Sequence, residues 1–298
     1  MKSKVVYAVV VAAYDDEAIF KDFMDSLAMI KFQNFKIIVV SNNRDLDWLK
    51  SLVESFKNTV FIQNSGNTGF CHGSNLGIKY ALSHGADYIL LINGDTLVKK
   101  SLVIKLLGYF YRNPKAGLVS PVIMQHPETE KVWYRGMTIN KFWGYTRSPG
   151  IGKPLPSQIK SEEVDSISGC CVLISRRVLE SIGLLDEAFF MYFDDPDISL
   201  RAQRAGFATS LFACPLVYHR KINKETFSPL EAYLFGRNPF IWLRKNFSGA
   251  NYLSAYLGQF FIRLPRNLTR CGNKKTALMY LRGIIDGIRG AEGKPGFL

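Results

Sequence analysis

Ile89-Leu90-Leu91-Ile92-Asn93-Gly94-Asp95-Thr96 is the stretch on which the fold turns. Four consecutive apolar residues read as a strand buried on both faces of a parallel sheet. Asn-Gly then marks a turn, and a carboxylate follows it. In open α/β sheets ligands sit beyond the carboxyl ends of the strands, which is where Asp95 falls. Two readings of Asp95 stand side by side. Asp95 or Thr96 caps the next helix, or Asp95 holds a divalent cation whose other positions are filled by substrate phosphates.

Outward from this stretch, strand and helix signals alternate. Strands are expected at Val5–Ala13, Lys36–Val40, Val60–Gln63, Tyr88–Ile92 and Gly117–Ile123, with helices at 16–30, 45–57, about 74–84 and 99–112. That pattern is a doubly wound α/β fold, a mostly parallel sheet flanked by helices. The basic Met1-Lys2-Ser3-Lys4 and the apolar run after it mimic a signal peptide, but the β-branched Val5–Val11 reads as the first strand. Residues 125–163 lose periodicity and read as a long, partly ordered excursion over the site, with Trp133, Tyr134, Trp143 and Tyr145 among its aromatics. Short strands are expected at 207–212 and 215–218. Amphipathic helices are expected at about 229–246, 251–264 and 275–289.

A second acidic cluster, Phe189-Phe190-Met191-Tyr192-Phe193-Asp194-Asp195-Pro196-Asp197, puts three carboxylates beside a wall of aromatics. Asp195 as N-cap and Pro196 as first helical residue explain part of it. A third carboxylate there points to proton transfer, so Asp195, with Asp194 beside it, is the candidate general base and Asp197 a candidate acceptor contact. His219 ends the last strand and is available to complete a cation shell with Asp95. Arg220, Lys221 and Lys224 are available to neutralise a leaving diphosphate. Asn67, Gly69, Gly73 and Asn75 belong to a Gly-rich loop opening a helix, a candidate anion cradle. It is not a dinucleotide fingerprint, and no P-loop is present.

The 298 residues are 47% hydrophobic and 21% charged, the composition of a globular chain. Five cysteines, an odd number without metal-site spacing, fit a reducing cytoplasm. Of the net charge of +13, residues 219–298 carry most, with 14 Lys/Arg against 4 Asp/Glu. This divides the chain into a 1–224 catalytic domain and a 225–298 basic amphipathic tail suited to an anionic membrane surface. The competing reading of the tail is a helical cap on the sheet. No nucleic-acid motif accompanies the charge.

Taken together, these motifs resemble family-2 glycosyltransferases of the GT-A fold over roughly residues 4–220. The resemblance rests on Tyr14-Asp15, Asn67-x-Gly69-Phe70…Gly73-x-Asn75-x-Gly77, Asn93-Gly94-Asp95, Ser168-Gly169-Cys170, Gly183…Asp186, and Phe190…Asp194-Asp195-x-Asp197…Arg201. It is nearest the bacterial rhamnosyl- and galactofuranosyl-transferases of surface polysaccharide (O-antigen) synthesis. It implies inverting transfer from a nucleotide sugar, dTDP-rhamnose or a UDP-sugar, to a polyprenyl-diphosphate-linked glycan at the inner membrane face. It also implies Asp195 as base, Mg²⁺ or Mn²⁺ on Asp95 and His219, and Tyr14, Asp15 and the second-strand end at the nucleobase, with Trp133, Tyr134, Trp143 and Tyr145 available to stack on sugar rings or equally to fill a loop core. Ser41 stands where the family has Asp, so Asn43 or Asp45 takes over that contact. Asn93 and Gly94 leave one Asp in the metal motif. These departures support an alternative, a catalytically inactive nucleotide-sugar-binding or scaffolding protein.

Overall fold

The structure is a computed structural model that describes residues 4–12, 16–42, 47–220 and 226–298. Its strands are β1 Val6–Ala12, β2 Phe35–Ser41, β3 Thr59–Gln63, β4 Tyr88–Ile92, β5 Thr96–Val98, β6 Ala116–His126, β7 Val132–Tyr134, β8 Thr138–Asn140, β9 Tyr145–Arg147, β10 Glu162–Glu163, β11 Cys171–Ser175 and β12 Ala208–Arg220. Its helices are α1 Glu17–Ala28, α2 Asp47–Glu54, α3 Gly69–Ser83, α4 Leu102–Arg112, α5 Arg176–Ile182, α6 Asp194–Arg204, α7 Pro229–Asn246, α8 Gly249–Gly258, α9 Leu264–Leu268 and α10 Lys274–Ile288.

The main sheet runs β10-β12-β6-β11-β4-β1-β2-β3. Pairs β1–β2, β2–β3, β1–β4 and β6–β12 are parallel, and β11 is antiparallel to both neighbours. Every residue of β1 is buried, as its unbroken Val-rich run requires. Helix α1 covers one face with Phe20, Phe23, Met24 and Leu27, spaced as one helical stripe, and Asp16 caps its start by accepting from the Ile19 amide at 3.0 Å. Helix α3 lies against the other face. A Cβ on Gly77 would stand 2.5 Å from Val9, so glycine is what allows helix and sheet to approach.

Two expectations change. The stretch 207–218 is one strand with irregular register around Pro215, because a bulge absorbs the proline instead of ending the ladder. The start of the tail packs on the sheet, as the helical-cap reading has it. Ile241, Trp242 and Leu243 of α7 join the same buried cluster as Tyr7, Val9, Ile38 and Val40 of the sheet. A capping box between Ser228 and Glu231 starts α7. Helix α10 then packs on α7 at glycines, where a Cβ on Gly283 would stand 2.1 Å from the Tyr233 carbonyl.

Candidate active site

The first acidic cluster is built by a strand too short to anticipate. Asp95 lies in the turn between β4 and β5, and Thr96 Oγ1 closes that turn by donating to the Asn93 carbonyl at 2.8 Å. The next helix, α4, begins only at Leu102 with Ser101 as its N-cap, so neither Asp95 nor Thr96 is a helix cap. Instead β5 pairs antiparallel with β12, Thr96 opposite His219, and the Arg220 amide donates to the Asp95 carbonyl at 2.9 Å. This pairing brings His219 Nε2 to 3.4 Å from Asp95 Oδ2. Asp95 Oδ1 and His219 Nδ1 are both buried without a hydrogen-bond partner. Trp133 of β7 stacks on the His219 ring, centroids 4.4 Å apart and planes 18° from parallel. Burial lowers the proton affinity of His219, against the opposing pull of Asp95. A neutral imidazole facing a carboxylate with an orphaned oxygen is a donor set that fits a hard or borderline divalent cation. Among the described residues no cluster of three His, Cys, Asp or Glu forms, so a cation there would need further ligands from outside this set.

The second cluster sits one strand away. Helix α6 begins at Asp194, with Phe193 before it in left-handed conformation (φ 70°), so Pro196 is the third helical residue and Asp195 is not the N-cap. The Gly169 amide, just ahead of β11, donates to Asp195 Oδ1 at 2.8 Å. A Cβ on Gly169 would meet that oxygen at 2.5 Å, so glycine is required for this contact. Strand β11 pairs with β4, and the Asn93 amide donates to the Cys170 carbonyl at 3.0 Å. Both acidic clusters therefore stand at one end of the sheet. Their charges converge on the Cys170 thiol, whose pKa is raised by burial and then by Asp95, Cys171 and Asp195.

The three carboxylates of the second cluster divide sharply. Asp197 is 1% exposed, and its oxygens accept from Arg201 Nε at 2.7 Å and Asn246 Nδ2 at 2.9 Å. It ties α6 to the end of α7 and has no oxygen free for an acceptor. Asp194 is 5% exposed. Asp195 alone is half-buried and keeps access to solvent. Burial raises the pKa of both Asp194 and Asp195, and the Asp194 charge adds to the rise at Asp195.

The wider set is only partly assembled. Tyr134 is 1% exposed and donates to the Ser166 carbonyl at 3.0 Å, so it is core and offers no sugar platform. Asn75 is buried and holds the 185–187 segment, exchanging hydrogen bonds with the Leu185 backbone at 2.9 and 3.0 Å and donating to Glu187 at 2.8 Å. The cradle reading of the Gly-rich loop meets the same difficulty. The Gly69 amide is taken by Asn67 Oδ1 at 3.1 Å and the Cys71 amide by the Phe190 carbonyl at 3.1 Å, while Gly73 packs against Val11. Ser41 is fully buried at the end of β2. Arg220 is paired with Asp22 through Nη2, while its Nε is buried without a partner. Trp143 is 37% exposed on the β8–β9 hairpin, beside α8, and Tyr145 is half-buried. Tyr14, Asp15, Asn43, Asp45, Lys221 and Lys224 lie outside the described residues.

Two residues that matter here were not anticipated. Asn238 Nδ2, from α7, donates to the carbonyls of Phe189, Met191 and Tyr192 at 3.0, 2.8 and 3.0 Å. Arg237, 1% exposed, donates to the carbonyls of Phe189 at 3.1 Å and Gly293 at 2.7 Å. Together they hold a segment in which Phe190, Tyr192 and Phe193 all have φ of 64–70°, a conformation L-residues adopt only under constraint. The signal was a polar pair inside the apolar run Leu234–Leu243.

Against known proteins, the pattern of "Glycosyltransferase like family 2" matches residues 4–234. The chain belongs to this glycosyltransferase family. It is 29% identical over 197 residues to the low-salt glycan biosynthesis hexosyltransferase Agl10 of Haloferax volcanii, covering 63% of this chain and 61% of that protein. It is 25% identical to the dTDP-rhamnosyl transferase RfbF of Shigella flexneri over 97% of both chains. It is 23% identical to the N-acetylglucosaminyl-diphospho-decaprenol L-rhamnosyltransferase of Mycobacterium tuberculosis, over 82% of this chain and 86% of that one. Among solved structures, S. aureus TarS with UDP-GlcNAc superimposes with TM-score 0.63 at 14% identity, over 96% of this chain and 82% of the other. The mannosyltransferase PcManGT of Pyrobaculum calidifontis, with GDP-Man and Mn²⁺, gives 0.54 at 11% identity, over 96% and 75%. The fold is GT-A, and the protein is a glycosyltransferase.

Proposed function

We propose that this enzyme transfers a hexose, rhamnose foremost, from a nucleoside-diphosphate donor to a diphospholipid-linked glycan, with inversion at the anomeric carbon. The observation that carries the mechanism is the division among Asp194, Asp195 and Asp197. Asp197 is consumed in packing and Asp194 is buried, while Asp195 is held at 2.8 Å by Gly169 with solvent on one side. Asp195 takes the proton of the acceptor hydroxyl as that oxygen bonds to the anomeric carbon and the bond from that carbon to the diphosphate oxygen breaks. The buried Asp194 charge makes Asp195 a stronger base. Asp95 and His219 would hold Mg²⁺ or Mn²⁺. When bound, that cation supplies positive charge to the leaving diphosphate. The relatives named for rhamnosyl transfer support the donor, and the mycobacterial relative supports the lipid-linked acceptor. Incubation with dTDP-rhamnose, UDP-sugars and GDP-mannose, with a short-chain N-acetylglucosaminyl diphospholipid as acceptor, tests this reading. Transfer from dTDP-rhamnose is expected, and hydrolysis alone with every donor would refute it.

Chelation gives a separate test. EDTA should abolish transfer and Mn²⁺ or Mg²⁺ restore it, while His219→Ala should raise the Mn²⁺ concentration for half-maximal rate by roughly 10-fold or more. Full activity in EDTA would assign the diphosphate charge to arginine and lysine.

Attachment to the inner face of an anionic membrane is part of the same proposal. Among the described residues no helix is long and apolar enough to cross a membrane. Helix α10 instead exposes Leu278, Leu281, Ile285 and Ile288 along one stripe, flanked by exposed Lys274, Lys275, Arg282 and Arg289. Its opposite side, with Tyr280 and Ile284, is buried. An exposed apolar stripe beside a basic one suits a helix lying in a lipid interface. Flotation with phosphatidylglycerol vesicles should recover the protein, less so at high salt. Leu281→Glu with Ile285→Glu should abolish flotation in the full chain. Equal flotation of that variant would remove α10 from the contact.

A further inference from the structure

The segment between α8 and α10 contains a basic group left without a counter-charge among the described residues. Residues Gln259–Arg263 form a π-helical turn, a rare distortion that often marks functional sites. It places the Arg263 guanidinium 5.1 Å over the ring of Phe193, the residue immediately before Asp194 and Asp195. Arg263 Nε is fully buried and has no hydrogen-bond partner. Among the described residues no carboxylate pairs with Arg263 or Arg266. Arg237, the fully buried arginine of α7, is by contrast saturated by backbone carbonyls and the Asn238 side-chain oxygen. Arg266 lies near enough for its charge to add to burial in lowering the proton affinity of Arg263. Arg270 is fixed 4.2 Å over Phe227. Burying the Nε side of a guanidinium without a counter-charge costs free energy that an arriving anion offsets. Around these arginines the surface is apolar. Leu253 and Leu257 of α8 are 61% and 42% exposed, Phe261 is 74% exposed and Leu268 of α9 is 38% exposed.

We infer that Arg263 and Arg266 bind the diphosphate of the lipid-linked acceptor, with the start of its hydrocarbon chain against Leu257, Phe261 and Leu268. Resting on the acceptor reading above, this separates two diphosphates. The donor's lies at the Asp95–His219 end of the sheet. The acceptor's lies over Phe193, the residue next to Asp194 and Asp195. The chemistry asks for both features at once. An anion alone would leave Phe261 and Leu257 in water, and an alkyl chain alone would leave the guanidinium unpaired. Two arginines presenting several N–H donors match the oxygens of a diphosphate better than a single phosphate. The position over Phe193 also gives a reason for the π-turn. The extra residue per turn lets residue 263 face the aromatic wall, while Phe261 points to solvent.

Equilibrium binding tests this without relying on turnover, using the full chain with farnesyl diphosphate, farnesol, inorganic pyrophosphate and dTDP as probes. Wild type should bind farnesyl diphosphate more tightly than farnesol or pyrophosphate. Arg263→Gln should weaken farnesyl diphosphate roughly 10-fold or more, Arg263→Lys should weaken it less, and dTDP affinity should not move. If Arg263→Gln does not fold, Arg266→Gln, on the exposed side, is read in its place and should show the same selective loss. The inference is overturned if wild type fails to bind farnesyl diphosphate or the Gln variants bind it as wild type does. It is also overturned if dTDP affinity falls instead, which would give these arginines to the donor. Arginine-dependent binding of farnesyl diphosphate without any glycosyl transfer would keep the site and refute the proposed reaction.

Discussion

Asp195→Asn should lower transfer by roughly 10² to 10⁴-fold while nucleotide-sugar binding persists. The amide keeps the shape and can still accept from the Gly169 amide through its own oxygen, so only the proton acceptor is lost. The same carboxylate should set the acid limb of the pH profile. Burial and the neighbouring Asp194 raise its pKa, so rate should fall as pH drops, with a midpoint above the ordinary aspartate value of about 3.9. The stability effect runs the other way. A carboxyl whose pKa is raised on folding binds protons more tightly folded than unfolded, so its ionisation destabilises the fold as pH rises past the unfolded value. At neutral pH the Asn variant should therefore unfold at the same or a higher temperature than wild type, by calorimetry. An inactive variant that also melts early would point to a structural role. Near-normal turnover would move the base elsewhere.

Asn238→Leu should also lower turnover, by a different route. The side chain's volume is kept, but the Met191 and Tyr192 carbonyls lose this donor, while the Phe189 carbonyl keeps Arg237. Each unsatisfied buried carbonyl costs about 1–3 kcal/mol, and the strained residues Phe190, Tyr192 and Phe193 lose the contact that holds them. Asp194 and Asp195 begin where that segment ends, so the base should shift from Gly169. Turnover at saturating substrate should fall roughly 10-fold or more, with donor KM little changed and a lower unfolding temperature. Unchanged turnover in a destabilised variant would mean that Asn238 only supports the fold.

The residues that were legible in advance are those whose pattern is local. The apolar runs of β1 and β4, the amphipathic spacing of α1 and the outlines of α7 and α10 each follow from periodicity. Strand β5 was not legible, because Thr96-Leu97-Val98 is stabilised by its pairing with β12, more than a hundred residues away. That unseen strand is what brings His219 to Asp95. The glycines of 69–77 carry the signature of an anion cradle, yet Gly69 and Gly77 are demanded by Phe190 and Val9 pressing on them. Asp197 and Tyr134 looked available because composition does not distinguish a buried, satisfied polar group from an exposed one. Asn238 was hidden for the opposite reason, as a polar residue whose partners are backbone atoms of a distant segment.

The most direct measurement is the anomeric configuration of the product, read by NMR from transfer of rhamnose out of dTDP-rhamnose to a short-chain N-acetylglucosaminyl diphospholipid. A single displacement with Asp195 as base predicts a glycosidic bond of configuration opposite to that of the donor. A product that retains the donor configuration would contradict it.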